Sequence, residues 1–245
     1  MLSAQRPLFL LDVDNTLLDN DRFAADLGAQ LDRSVGAGQR ERYWALYAGL
    51  KRTLGYADYL GALQQLRLDN DDEPALLQLS AFLFDYPFAE RFYPQARQTL
   101  RHLETLGTPV IFSDGDIVFQ PHKIRRCGLW QAVAGRVLVY VHKQQRLAAM
   151  QQRFPAGHYV MVDDKALLLA AVKRELGTRV TTVFVRQGHY AAAVQTASVD
   201  PAPDLSVDHI GQLCHFALAD FAAARQPSAR ANGPVPLITS SPEST

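Results

Sequence analysis

Apolar residues run unbroken from Leu8 to Leu11 and then give way to Asp12-Val13-Asp14-Asn15-Thr16. A run this short, apolar at every position, predicts a strand buried on both faces and is too short to span a membrane. From Asp19 to Glu90 the pattern changes to helical spacing. Phe23, Leu27 and Leu31 share one face. Tyr43, Trp44, Tyr47, Leu50 and Leu54 mark a second helix, and Tyr59, Leu60, Leu63 and Leu66 a third. Asp69-Asn70-Asp71-Asp72 reads as a polar turn. Pro74 then suits the first turn of a fourth helix carrying Leu76, Leu77, Leu79, Phe82 and Leu83.

From Phe92 onward, strands and helices alternate. Pro94 opens a helix through Leu100, Leu103 and Leu106, stopped at Gly107. The strand Pro109–Phe112 ends in Ser113-Asp114-Gly115-Asp116. A short helix through Val118, Phe119, Ile124 and Cys127 follows. The strand Val137–Val141 ends in His142-Lys143, and the strand Tyr159–Val162 in Asp163-Asp164-Lys165. An apolar helix Ala166–Leu176 leads to a fifth strand, Val180–Val185. Arg186–Asp204 reads as a loop, Leu205–Val207 as a short sixth strand, and Ile210, Leu213, Ala217 and Phe221 as one face of a last helix. The segment from Arg225, rich in Pro, Ser and Thr, reads as a disordered tail.

This alternation predicts an α/β fold: a three-layer, Rossmann-like parallel sheet with helices on both faces. The expected division is a core of 1–18 and 91–224, a helical insertion of 19–90 and a tail of 225–245. Ligands of such sheets bind at the carboxyl ends of the strands. Here those ends carry Asp12 and Asp14, Ser113 and Asp114, Lys143, and Asp163 and Asp164.

Composition narrows the function. Lysine plus arginine and aspartate plus glutamate number 25 each, so no global field favours nucleic acid or an anionic membrane. Cys127 and Cys214 have no metal-like spacing and read as thiols of a reducing, cytoplasmic protein. The N-terminus lacks the apolar stretch of a signal peptide.

Residues i and i+2 of a strand point the same way, so Asp12 and Asp14 would converge where the strand leaves the core. Two close carboxylates repel unless one is protonated or a cation lies between them. On this stretch alone, a turn in which Asp14, Asn15 or Thr16 caps the next helix explains it equally well. The other strand ends tip the balance. Asp12, Asp14 and the Asp163-Asp164 pair supply hard oxygen ligands suited to magnesium, while Lys143 and Ser113 supply donors to an anion. A carboxylate is then free to act as nucleophile and another as acid and base.

These residues, in this order, resemble the haloacid dehalogenase-like hydrolases in their phosphatase branch, over about Leu8 to Leu213. The resemblance implies Asp12 as nucleophile and magnesium ligand, and Asp14 as general acid/base, its main-chain carbonyl also reaching the metal. It further implies Ser113, with Asp114 beside it, at the phosphoryl group, Lys143 neutralising charge there, Asp163 on magnesium, and Asp164 as a second or supporting ligand. The insertion would be the family's helical cap. The expected substrate is a phosphorylated small molecule, with no nucleic-acid or membrane partner. Lys123 competes with Lys143, which is preferred because it directly follows a strand. Asp114 and Asp116 also read as shaping an Asp-Gly-Asp turn, and Lys165 as pairing with Asp164 at a helix start. His122, His142 and His189 read as surface or loop residues, and Tyr43, Trp44 and Tyr47 as packing. Lys51 raises a Schiff-base chemistry that nothing else in the chain supports. A phosphomutase would share every catalytic residue. A phospho-acceptor signalling module fits the length and strand order poorly, a non-catalytic binding relative would not need the full set, and Asp14 argues against a dehalogenase, whose halide needs no acid.

Overall fold

A computed structural model describes residues 6–68, 70–193 and 199–223; the expected tail and Asp69 lie outside them. Six strands form one parallel sheet: β1 (Leu8–Leu11), β2 (Thr108–Asp114), β3 (Val137–Tyr140), β4 (Tyr159–Asp163), β5 (Val180–Val185) and β6 (Leu205–Val207). Their order is β3-β2-β1-β4-β5-β6. Leu11 stands opposite Ile111 on β2 and Val162 on β4. The chain builds outward on one side of β1 and then returns to build outward on the other. The reversal falls between β1 and β4, which is where ligands enter sheets of this kind.

The continuous apolar runs reflect burial on both faces. Leu8 and Leu10 join Val110, Phe112, Tyr159 and Met161 in one core layer with α9 (Ala166–Leu176). Phe9 and Leu11 join Ile111, Val160 and Val162 in the opposite layer. The period of two along each strand separates the two sets.

Four helices follow one another along the chain between β1 and β2: α1 (Asn20–Val35), α2 (Ala37–Leu54), α3 (Tyr59–Arg67) and α4 (Glu73–Asp85). Aspartates cap three of them. Asp19 accepts from Arg22 N at 2.8 Å, Asp58 from Gly61 N at 2.6 Å and Asp72 from Ala75 N at 3.2 Å. Each satisfies a donor that the first helical turn leaves open. Phe23, Leu27 and Leu31 are buried as their spacing predicts. Phe23 lies against Tyr59, Tyr86, Phe88 and Phe119, so the insertion and the sheet domain share one hydrophobic cluster.

On the core side lie α5 (Ala96–Leu106), α6 (Phe119–Arg126), α7 (Leu129–Ala132) and α8 (Leu147–Arg153). Three expectations change. Pro94 precedes α5 rather than opening it, because Gln95 takes a left-handed conformation at φ 63°. The stretch read as a loop contains a short helix, α10 (Gly188–Ala193), turned into place by Gly188 at φ 72°. The last helix is split into a 3-10 turn, Ile210–His215, and α11 (Leu218–Ala223). There, side chains of α5 bind main-chain carbonyls: Thr99 Oγ1 donates to Ile210 O at 3.1 Å and His102 Nε2 to Phe216 O at 2.8 Å. Among the described residues no helix is long and apolar enough to cross a membrane.

Candidate active site

Asp12 continues β1, its N–H donating to Val162 O of β4 at 3.1 Å. That step sets Asp12 beside the end of β4, where Asp163 and Asp164 emerge. The three carboxylates are buried, and one oxygen from each lies within 4.8 Å of the others. Lys143 crosses from the end of β3 to meet them. Its Nζ lies 2.5 Å from Asp12 Oδ1, 2.7 Å from Asp163 Oδ2 and 3.0 Å from Phe112 O. Burial alone would lower the Lys143 pKa, but Asp12, Asp163 and Asp114 together raise it, so it stays protonated.

One lysine does not satisfy three carboxylates. Asp163 Oδ1 accepts from Lys165 N at 2.9 Å, whereas both oxygens of Asp164 are buried without a hydrogen-bond partner. Burial, then repulsion from Asp163 and Asp12, pushes the Asp164 carboxyl far above the usual carboxylate range. Buried unpartnered oxygens beside two other carboxylates fit a hard divalent cation such as magnesium.

Asp14 is turned away from this trio. Lys123 Nζ of α6 donates to its Oδ1 at 2.7 Å, and Gln120 Nε2 to its Oδ2 at 3.2 Å. Gln120 also donates to Ser113 Oγ at 3.0 Å, and Lys123 to Asn20 Oδ1 of α1 at 3.0 Å. Lys123 is buried, with its Nζ within 6 Å of the ring centres of Phe23, Phe88 and Phe119. The two competing lysines therefore serve different carboxylates, Lys143 the nucleophile candidate and Lys123 the acid/base candidate. Gln120 and Asn20 escaped the sequence reading. The one available signal was Lys123 itself, a charge on the same helical stripe as Phe119 and Cys127.

Asp114 holds the loops in place. Its Oδ1 accepts from Lys143 N at 2.8 Å and its Oδ2 faces Lys165 Nζ at 3.4 Å. Lys165 thus pairs with Asp114, not Asp164. Asp116 Oδ1 accepts from Val118 N and Phe119 N, shaping the turn that leads into α6 as the sequence suggests. Asn15, at φ 58°, makes the turn after β1. Its Oδ1 accepts from Asn20 N at 3.1 Å and Asp21 N at 3.2 Å, tying that turn to the start of α1.

Above these groups a cavity of about 370 Å³ lies between the helical insertion and the sheet, a volume suited to a small molecule. Asp14 and Asp114 reach it from the sheet, and Trp44, Tyr47 and Lys51 from α2. Tyr43 instead packs inward, donating from its hydroxyl to Tyr59 O at 2.9 Å. His142 and His189 both line the cavity, whereas His122 donates to Phe84 O. His189 and Tyr190 come from α10, the helix that the sequence reading missed. His189 N donates to Asp21 Oδ2 at 2.8 Å, closing α10 onto α1.

The model of the haloacid dehalogenase-like hydrolase family matches residues 7–174. The chain is similar to a haloacid dehalogenase-like hydrolase of Burkholderia xenovorans LB400, at 53% identity over 87% of this chain and 99% of that one, with a TM-score of 0.80. It shares its fold with an L-2-haloacid dehalogenase of Xanthobacter autotrophicus, at 18% identity over 86% of this chain and 97% of that one, TM-score 0.54. The same holds for a magnesium-bound HAD-hydrolase of Bacillus subtilis, at 14% identity over 86% and 98%, TM-score 0.58. No curated protein matches at significant similarity. With the parallel sheet, the Asp12–Lys143 pair and the family match over most of its length, the chain belongs to the haloacid dehalogenase-like hydrolases.

Proposed function

We propose that the chain is a magnesium-dependent phosphatase of a small phosphomonoester, working through an aspartyl-phosphate. The observation that carries this reading is the pairing of two chemically distinct carboxylate sites at the end of β1. Asp12 lies in the buried trio with Asp163 and Asp164, and Asp14 stands apart on Lys123.

In the proposed reaction Asp12 attacks phosphorus as the bond to the ester oxygen breaks. The electron pair leaves with that oxygen, which takes the proton of Asp14. Asp14 then takes a proton from water, whose oxygen attacks the phosphorus of the acyl phosphate. Inorganic phosphate departs and Asp12 is regenerated. Lys143 neutralises Asp12 and the arriving phosphoryl oxygens, and Ser113 donates to one of those oxygens once its hydroxyl leaves Asp114 O. Lys123 and Gln120 fix where the Asp14 carboxylate stands. Magnesium would be held by Asp12 and Asp164, with Asp163 and the Asp14 main chain in support, and would supply charge neutralisation at the phosphoryl oxygens. The sequence reading put Asp163 first on the metal. Asp163 already faces the Lys143 ammonium through Oδ2 and Lys165 N through Oδ1, whereas neither oxygen of Asp164 has such a neighbour, which favours Asp164 instead. Helices α1 to α4 serve as the cap that closes over the site and excludes water.

Carbon–halogen cleavage is the competing activity, since relatives of this fold include L-2-haloacid dehalogenases. A halide leaves as an anion and takes no proton, so Asp14 and the unpartnered Asp164 would be idle. Phosphate release from an ester panel, run beside halide release from 2-chloropropionate with the Asp12→Asn protein as blank, tests the reading. Halide release without phosphate release overturns it. Phosphate moved within a sugar phosphate rather than released would indicate a mutase.

A further inference from the structure

The charged groups that line the cavity are not all held in ion pairs, and among the described residues the lysine without a carboxylate partner sits at the end formed by α2 and α10. Asp14 is paired with Lys123, and Asp114 with Lys165. Asp21 accepts from Asn15 Nδ2 at 2.9 Å and from His189 Nδ1 at 2.6 Å and N at 2.8 Å, which occupies both its oxygens. Lys51 is different. It lies in the last turn of α2 and its ammonium meets the Tyr190 hydroxyl, with the Tyr190 ring centre 5.1 Å away. Among the described residues no carboxylate pairs with Lys51. A cation in a helix's last turn is favourable on the helix dipole alone, which would leave it in solvent. Lys51 instead is half-buried and lines the cavity.

Tyr190 adds a hydroxyl that accepts from Lys51 and keeps its own O–H to donate elsewhere. An ammonium and a phenol hydroxyl side by side form a two-donor site for an anion. Trp44 and Tyr47 beside them are aromatic walls with little charge to offer. The phosphoryl group itself belongs at Asp12 and Lys143, so this second site faces the alcohol part of the ester.

Resting on the phosphatase reading, we infer that the substrate is the phosphate ester of a short hydroxy acid, its carboxylate received by Lys51 and Tyr190. A single ammonium with no carboxylate paired to it matches one carboxylate. A second phosphate would bring about two negative charges and leave one of them unmatched. Lys51 and Tyr190 are then specificity-determining residues. Because one comes from the cap and the other from the core, the carboxylate also bridges the two parts across the cavity.

The test compares 2-phospholactate with isopropyl phosphate, which differ only by carboxylate against methyl, with p-nitrophenyl phosphate as a general ester, all with magnesium. The expected kcat/KM for 2-phospholactate is at least about tenfold above that for isopropyl phosphate. In Lys51→Met the ratio falls toward one, mainly through KM, and Lys51→Arg restores most of it. Tyr190→Phe lowers the ratio severalfold and serves as an independent variant should Lys51→Met misfold. A ratio near one in the wild type, or one that survives in both Lys51→Met and Tyr190→Phe, overturns the inference. Faster turnover of 1,2-propanediol bisphosphate than of 2-phospholactate overturns it in favour of a second phosphate. If p-nitrophenyl phosphate is cleaved while the ratio is one, only this inference falls. If no ester is cleaved, the phosphatase reading falls with it.

Discussion

Lys123 donates to Asp14 across 2.7 Å from within a ring of aromatic side chains. The lysine is 1% exposed and the aspartate 31%. The pair therefore stands at the boundary between the packed core and the cavity, and it fixes an acid/base candidate from a helix that carries none of the other catalytic candidates. Through Asn20 the same ammonium also touches the first helix of the insertion.

Removing that ammonium separates catalysis from folding. Lys123→Met keeps the side-chain volume among apolar rings, and the Asp14 carboxylate it abandons still reaches water. Turnover is expected to fall roughly 10²-fold, the scale of a displaced general acid/base, with KM little changed. Melting temperature should move by only a few degrees. A variant with full turnover would show that Asp14 needs no such support.

Asp12→Asn removes the nucleophile and leaves the strand that carries it intact. Phosphate release is expected to drop to background, because an amide does not form the acyl phosphate. Circular dichroism should be unchanged. Retained turnover in this variant would sink the aspartyl-phosphate route.

The buried trio links stability to pH. Burial, then repulsion among the carboxylates, raises the Asp164 pKa well above the value of about 3.9 that it has in the unfolded chain. The folded state then binds more protons than the unfolded state. The contribution of Asp164 to the stability of the metal-free protein should be greatest at and below about pH 4, where both states are protonated, and should decline as pH rises toward the elevated folded value. Magnesium should flatten that decline, and Asp164→Asn should remove part of it while weakening the magnesium response. Melting curves at pH 5, 7 and 9, with chelator and with magnesium, check the sign. A metal-free protein that gains stability over this range would contradict it.

Phe23→Ala tests the junction of insertion and core. Phe23 is 1% exposed and contacts the rings of Tyr59, Tyr86, Phe88 and Phe119. Loss of this ring should cost about 3–5 kcal/mol in urea unfolding. The cavity wall and the Lys123 cage share these rings, so activity measured below the transition should also fall.

Gly188→Ala addresses α10. The glycine is at φ 72°, and an added Cβ would lie 2.5 Å from the Asn15 side chain. The turn after β1 and α10 cannot both keep their places. Lower melting temperature together with lower turnover is the expected result, whereas Gly36→Ala, at φ 82° with open space around it, should lower stability alone.

The sequence by itself determined the scaffold. Both-face burial made Leu8–Leu11 and Tyr159–Val162 readable as central strands, because a strand inside a parallel sheet has no polar face to confuse the pattern. Helical spacing gave α1 its buried face at Phe23, Leu27 and Leu31. The polar residues gathered at strand ends because a parallel sheet directs all its carboxyl ends to one edge. That rule brought Asp12, Lys143, Asp163 and Asp164 together without any contact being known. Only the tertiary structure decided what touches what around them. Lys123 and Lys143 were rivals in sequence because either could reach one edge. They proved to hold different aspartates, since Lys123 reaches Asp14 from α6 while Lys143 reaches Asp12 from the end of β3, across β2. Lys165 faces Asp114 rather than its neighbour Asp164, and the residues of α10, an element with no periodic signal, meet Lys51 and Asp21. Such pairings join residues up to 168 positions apart. Local periodicity holds no information about them, because they are set by how the insertion and the sheet pack against each other.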